Sequence, residues 1–386
     1  MNGPFPLPTE KPRVLLVRLS AHGDVVQTLP VLGLIKQQYP NAYVGWLVEK
    51  AAAPLLEGNP LIDHLHVVDR KRWLKTLRTQ PWNIGRVWRE ISALRQELKG
   101  YTYSLDVQGL LKSAVWPWLA GIPNRYGYQG AREQASRFYT DPLPPFDRTN
   151  ATITAALEFA ALAEASLGLN LTSYRNNSAL LPYPIATPTP QQVSKVNECL
   201  EGLEKNLPLI GIAPATQWQS KRWPNEYWLE VIQTLSALAN VVVLGAESDR
   251  PTIEPLLEAL EQQPKTRVLN WVGKTPLESV YAVASRLDVL VAPDSLWLHV
   301  GQAVSANPKL NQGKPYLVGV FGPTATGRTG PVGSQHQTLS TQLACQPCFQ
   351  KICPLDTTEC LTSLRPQQVL ETISQQLAKV QAEVTV

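Results

Sequence analysis

The sequence predicts an α/β protein made of two doubly wound parallel-sheet domains. Three observations carry that prediction. Short continuous apolar runs alternate with longer helical patterns on both sides of a proline-rich break. A single core stops growing at about 250–300 residues, whereas this chain has 386. Hydrophobic residues make up 44% of it, enough apolar mass for two cores.

In the first half the runs that read as strands are Arg13–Arg18, Tyr43–Val48, Leu65–Val68 and Tyr103–Val107. In the second half they are Leu209–Ala213, Val241–Leu244, Val289–Ala292 and Tyr316–Phe321. Uninterrupted apolar runs suit strands buried on both faces. Amphipathic stretches such as Tyr227–Leu238 and Leu277–Arg286 lie between them. Repeated strand–helix–strand units imply parallel sheets with right-handed crossovers. The break is Leu181–Pro190, LPYPIATPTP, which can continue neither a helix nor a central strand. The expected organisation is therefore a domain over 1–182, a linker over 183–190 and a domain over 191–386. The second ends in a helix from Pro366 to Val380.

Composition excludes several classes. Charged residues are 17% of the chain, against about 25% in an average soluble protein, which argues against disorder. No run of about 18 apolar residues reads as a spanning helix, and MNGPFPLPTEKPR does not read as a secretory signal. The expectation is a cytoplasmic protein, peripheral to the inner face of the membrane. Net charge is +4. Residues 1–182 carry 20 Lys/Arg against 14 Asp/Glu, and residues 183–386 carry 15 against 17, so the halves are +6 and −2. A basic first half suits an anionic partner; the excess is too small and local for nucleic acid.

In open α/β sheets ligands sit beyond the carboxyl ends of the strands, so the loops after strands hold the candidate chemistry. After the first strand comes Ser20-Ala21-His22-Gly23-Asp24. Asp24 fits two uses: charging a helix N-terminus, or serving as general base at a cleft rim. Lys221-Arg222-Trp223-Pro224, Asp294-Ser295 and Gly322-Pro323-Thr324 occupy equivalent places in the second half. Each also fits a plain helix start, cap or turn.

Taken in order, these segments resemble one family. Ser20-x-x-Gly23-Asp24-Val25-x-x-Thr28-Leu29-Pro30 is similar to the opening motif of glycosyltransferase family 9, the lipopolysaccharide heptosyltransferases. Asp106 to Ala114, Ala131-Arg132-Glu133 with Phe138-Tyr139, Ala215-Thr216 with Lys221-x-Trp223-Pro224, Asp294-Ser295 with His299, and Phe321-Gly322-Pro323-Thr324 resemble its later motifs in sequence order. The resemblance implies the GT-B fold and an inverting, metal-independent transfer. The sugar would be heptose-type, the donor ADP-heptose, and the acceptor an anionic glycolipid or polysaccharide. It puts Asp24 in the base role. Thr216, Gln217, Lys221, Asp249, Asp294, Ser295, His299, Gly322, Pro323 and Thr324 fall to the donor. Arg72, Trp73, Lys75, Gln108, Lys112 and Arg132 fall to the acceptor. The basic run 69–99 with interleaved Trp73, Trp82 and Trp88 reads either as a solvated helical face or as an acceptor-docking surface. A transferase using another nucleotide sugar, and a silent nucleotide- or sugar-binding protein, are the alternatives.

Three departures stand out. Leu296 replaces the family's glycine, next to the bulky Trp297; Asn150-Ala151 replaces a His-Ala pair; and 305–313 reads as an insertion. Cys345, Cys348, Cys353 and Cys360 form C-x2-C-x4-C-x6-C, while Cys199 stands alone. Clustered thiols in a cytosolic chain suit a structural zinc or iron–sulfur site, or a packed, redox-labile loop, ahead of stable disulfides. They are not expected in catalysis, and no catalytic cofactor is expected.

Overall fold

The computed structural model describes residues 11–145, 152–262, 267–311 and 313–384. The chain divides into two compact units, one of residues up to 150 with Ala155–Ala186, the other of 151–154 with the chain from Thr187. Asn150-Ala151 lies outside the described residues.

The first unit runs β1 (Arg13–Val17), α1 (His22–Gln38), β2 (Tyr43–Glu49), β3 (His64–Val68), α2 (Arg70–Thr79), α3 (Ile84–Glu97), β4 (Tyr103–Asp106), α4 (Leu111–Leu119), β5 (Asn124–Tyr128), β6 (Asp141–Leu143), α5 (Ala155–Leu167) and α6 (Thr172–Asn176). Its sheet is parallel throughout, in the order β3-β2-β1-β4-β5-β6. Because β1 is central, Val14–Val17 are fully buried. Each such side chain contributes roughly 1.5–3 kcal/mol relative to exposure. The proline-rich segment is tied down before the boundary: Leu181, Tyr183 and Ile185 are buried, and Asn59 Nδ2 donates to the Pro184 carbonyl at 2.5 Å.

The second unit runs α7 (Pro190–Cys199), β7 (Leu209–Ile212), α8 (Asn225–Ser236), β8 (Asn240–Val243), α9 (Arg250–Glu261), β9 (Val268–Asn270), α10 (Val280–Ala284), β10 (Val289–Pro293), α11 (Leu296–Ser305), α12 (Pro308–Asn311), β11 (Tyr316–Phe321), α13 (Thr326–Thr329), β12 (Gln337–Ser340), α14 (Glu359–Thr362) and α15 (Pro366–Val384). Helix α7 begins where the prolines end. Thr189 caps it, Gln192 closes the capping box, and Pro190 sits at the first turn. The sheet order is β12-β11-β10-β7-β8-β9. Read from β9, it repeats the first unit's order. Trp228, Val231, Ile232 and Leu235 of α8 and Val369, Ile373 and Leu377 of α15 pack with the sheet in one core.

All eight strands expected from apolar runs are present, with ends shifted by a residue or so. β5, β6, β9 and β12 went unpredicted: three are at or near a sheet edge with partly exposed faces, and β5 (NRYGY) lacks an apolar run. The expected helix Leu277–Arg286 is a 3₁₀ turn over Leu277–Ser279 followed by the short α10. Among the described residues no helix is long and apolar enough to cross a membrane.

Buried His336 precedes β12. It accepts the Leu317 N–H at Nδ1, 3.2 Å away, and its Nε2 lies 3.5 Å from Ser305 Oγ. Burial lowers its pKa from 6.5 to about 4. The unfolded chain therefore takes up a proton first as pH falls, so this contribution is whole above pH 6.5 and is lost between 6.5 and 4. About 2 kcal/mol should be gone by pH 5. His66, lowered to about 4 by burial, adds the same sign. Urea midpoints at pH 7 and pH 5 measure the loss, and His336→Asn should flatten the slope; an unchanged slope contradicts this account.

Candidate active site

In both sheets the chain reverses its winding direction beside the first strand of the unit, between β1 and β4 and between β7 and β10. Helices leave to opposite faces there, which opens a crevice at the strand ends.

At the first switch point the loop after β1 carries Ser20 and Asp24. Asp24 lies in the first turn of α1, where its Oδ2 accepts the Ala21 N–H at 3.3 Å. The same oxygen pairs with the Arg18 guanidinium. Arg18 is buried, donates to the Val107 carbonyl at 2.7 Å and lies over the Phe159 ring. Asp24 itself is 43% exposed by side chain. It is thus both helix-terminal charge and accessible carboxylate, so the two uses read from sequence do not compete.

The neighbouring groups are cross-linked. Gln108 accepts the Leu19 N–H at 2.7 Å and donates to Ser20 Oγ at 3.2 Å. Lys112 Nζ reaches Ser20 Oγ at 2.8 Å and Glu49 at 3.4 Å, and Arg70 reaches Glu49 at 3.3 Å. Behind Gln108, buried Asp106 accepts from Gln108 N, Gly109 N, Ser113 Oγ and Tyr139 Oη at 2.8–3.1 Å. Burial pushes its carboxyl up, against the opposing pull of those donors. A concavity beside this loop is lined by Gln108, Gly109, Tyr128, Ala131 and exposed Arg132. Gln108 and Lys112 therefore meet Asp24's loop, while Arg132 faces the adjoining hollow.

Arg72 and Trp73 are elsewhere, on α2. Arg72 forks onto Glu90 of α3 at 3.2 and 2.6 Å and also binds Asp69 at 3.1 Å. Trp73 is buried against Trp116, its indole N–H donating to Glu90 at 2.6 Å. It presents no open face; the exposed indoles of this arm are Trp82 and Trp88. Lys75 is exposed on α2.

At the second switch point Lys221 Nζ pairs with buried Asp294 Oδ2 at 2.7 Å and lies 4.4 Å from the Trp218 ring centroid. His299 Nε2 approaches Asp294 Oδ1 at 3.5 Å. Burial opposes ionisation of Asp294, yet His299 and Lys221 outweigh it and hold the carboxyl well below the usual range. Ser295 precedes α11 without capping it through its side chain. Its Oγ and the Oγ1 of Thr324, in the loop after β11, are buried without a partner. Leu296 takes up the first turn of α11 in ordinary helical geometry, so glycine is not required for the fold of the turn. Thr216 is half-buried and Gln217 exposed in the loop after β7. Asp249 follows β8 and accepts the Ala246 N–H at 2.9 Å.

The cysteine loop backs these elements. Gln346 Nε2 donates to the Gly322 carbonyl at 2.7 Å, Phe349 N to Pro323 at 2.9 Å, and Ser220 N to Lys351 at 3.2 Å. A side chain at Gly322 would collide with Leu361 at 2.7 Å, so glycine lets the loop close on β11. All five cysteines are free.

Arg18 and Glu49 were not singled out from sequence, while Asp106, Tyr139 and Arg70 were named only as members of motifs or of the basic run, without these roles. Each acts through a partner distant in the chain, such as Arg18 with Val107, 89 residues on. Buried charge in a strand was the available signal.

Comparison with known proteins places this architecture. The family model of glycosyltransferase family 9 (heptosyltransferase) matches residues 91–359. The lipopolysaccharide heptosyltransferase 1 of Pseudomonas aeruginosa is 29% identical, over 92% of this chain and 96% of that protein. The solved E. coli ADP-heptose lipopolysaccharide heptosyltransferase II superposes with a TM-score of 0.72 at 22% identity, over 96% of this chain and 99% of that one. An E. coli heptosyltransferase, WaaC, solved with ADP, gives 0.66 at 24% identity, over 94% and 99%. The likeness spans both units, and the fold is of the GT-B type. The chain belongs to glycosyltransferase family 9, the heptosyltransferases.

Proposed function

We propose that the protein transfers a heptose from ADP-heptose to a hydroxyl of the anionic lipopolysaccharide core, inverting the anomeric carbon without a catalytic metal. The relatives' heptosyltransferase activity and the ADP bound by one of them support the donor. The observation that carries the reading is the second switch point. Two buried, unpartnered hydroxyls, Ser295 and Thr324, sit with an α11 N-terminus that its Ser295 side chain does not cap. Such groups are suited to a pyrophosphate.

In the reaction the acceptor oxygen bonds to the anomeric carbon as the bond to ADP breaks. The acceptor proton passes to Asp24. Arg18 and the Ala21 N–H both engage Oδ2, which orients the carboxylate and leaves Oδ1 for the hydroxyl. Charge gathering on the leaving ADP meets the α11 amides, Ser295, Thr216, Thr324 and the Lys221 ammonium, with Asp249 at the ribose and His299, Gly322 and Pro323 shaping the loop. Gln108, Lys112 and Arg132 are assigned to the acceptor. Asp24→Asn should lower kcat by about 10²–10⁴ while ADP still raises the melting temperature. Lys221→Ala should weaken ADP binding in calorimetry. Turnover retained in the first variant removes Asp24 from the base role, and a shift with UDP but not ADP removes the donor assignment.

The α2–α3 arm is proposed to meet the glycolipid at the inner membrane face. Leu74, Trp82, Ile84 and Trp88 are exposed beside Lys71, Lys75, Arg78, Arg86 and Arg89, a pairing that suits anionic headgroups. Trp82→Ala with Trp88→Ala should cut sedimentation with phosphatidylglycerol vesicles severalfold at unchanged ADP affinity. Undiminished sedimentation argues for a solvated face.

The cysteine loop is assigned a bracing role, with zinc or iron as the ion its thiols suit. Burial raises Cys360 to about 11, and electrostatic repulsion from Cys345, Cys348 and Cys353 adds to it. Backbone N–H groups of Thr358, Leu355 and Thr357 pull Cys353 down, favouring its thiolate. The thiols do not yet form a group at metal-ligand spacing; exposed Cys345 would have to turn inward. Elemental analysis should find zinc or iron that is lost in the Cys345→Ser, Cys348→Ser variant, and a metal content unchanged by those substitutions would dismiss the ion.

A further inference from the structure

Away from the strand carboxyl ends, at the opposite end of edge strand β3, three side chains gather that the reaction does not use. His64 and His66 are two apart on β3, so both project from the same face of the sheet. Their rings lie 4.3 Å apart. Glu97, the last residue of α3, reaches His66 Nδ1 at 3.5 Å. One ligand atom from each of the three falls within 4.8 Å of the other two; among the described residues this is the one such group of His, Cys, Asp or Glu.

We propose that His64, His66 and Glu97 form a binding site for a divalent transition cation, zinc by the character of its donors, which clips the sheet edge to the end of α3. Two imidazoles and a carboxylate are a zinc donor set that leaves one tetrahedral position open.

The buried member shows preparation for a ligand. His66 is 2% exposed, yet its Nδ1 has no hydrogen-bond partner. The 3.5 Å to Glu97 is longer than a good N–H···O bond. On its other side, Nε2 is 2.8 Å from the Tyr101 hydroxyl. When that hydroxyl accepts the Nε2 proton, the Nδ1 lone pair faces Glu97, and a cation between them selects this tautomer. A metal-bound histidine ordinarily has its second nitrogen anchored in this way. The anchor is itself built in: a side chain at Gly45 would lie 1.9 Å from the Tyr101 hydroxyl, so glycine on β2 is what admits it.

Ligand atoms around zinc stand roughly 3.3 Å apart, given bonds of about 2.0–2.1 Å. His64 and Glu97 are exposed and free to close that gap onto the fixed His66.

The test uses the full chain carrying Cys345→Ser, Cys348→Ser, Cys353→Ser and Cys360→Ser, stripped by chelator, so that the clustered thiols do not compete. Cobalt should give d–d absorption without sulfur charge transfer, and zinc should displace it. His64→Ala and Glu97→Gln, both at exposed positions where folding is not at stake, should each weaken zinc at least about tenfold in competition titration. Zinc should raise the melting temperature of the parent and not of these variants. Equal zinc affinity in parent and variants, or no cobalt spectrum free of sulfur bands, overturns the site.

Discussion

Everything in this molecule depends on where two parallel sheets reverse their winding. Parallel strands need crossover helices, and those helices cover both faces. Only where consecutive crossovers part to opposite faces does a crevice remain. The topology repeats that event twice, beside β1 and beside β7. The strand ends there are the places where polar side chains emerge from an otherwise apolar sheet. Asp106 and Asp294 sit at such ends and Glu49 at the end of neighbouring β2, all buried and each surrounded by donors.

Burial makes those carboxylates costly unless they are paired and hydrogen-bonded. The pairing therefore determines the loops. Asp106 collects two backbone N–H groups and two hydroxyls, which sets the turn carrying Gln108. Gln108 then holds Ser20, four residues before Asp24. In the second unit Asp294 holds Lys221 and His299 at the mouth of β10. Removing one partner of such a pair strands a charge in low dielectric, at a cost of about 3–5 kcal/mol. The residues assigned to chemistry are thus positioned by residues with none of their own.

The cysteine loop and the His64–His66–Glu97 group lie outside the two crevices in different senses. The loop bolts directly onto Gly322, Pro323 and Ser220, so it braces from behind the elements proposed for the donor. The histidine group is at the far end of a sheet-edge strand. There it ties to α3, whose Glu90 also orients Arg72 and Trp73. Both are places where a locally weak element is fastened to a stronger one.

The sequence by itself determined the α/β class, the eight central strands, the order of the motifs and hence the family, because apolar periodicity and short ordered motifs are local properties. It showed Asp24, Lys221 and Asp294–Ser295 in the segments that follow strands for the same reason. It did not reveal β5, β6, β9 and β12, whose pairing is supplied by neighbours and not by their own residues. Nor did it reveal that Lys221 meets Asp294 across 73 residues, that Trp73 is inside while Trp82 and Trp88 are outside, or that an H-x-H pair on β3 meets Glu97. Those facts are distances between segments far apart in the chain. Only the packing of helices on a closed sheet order sets them.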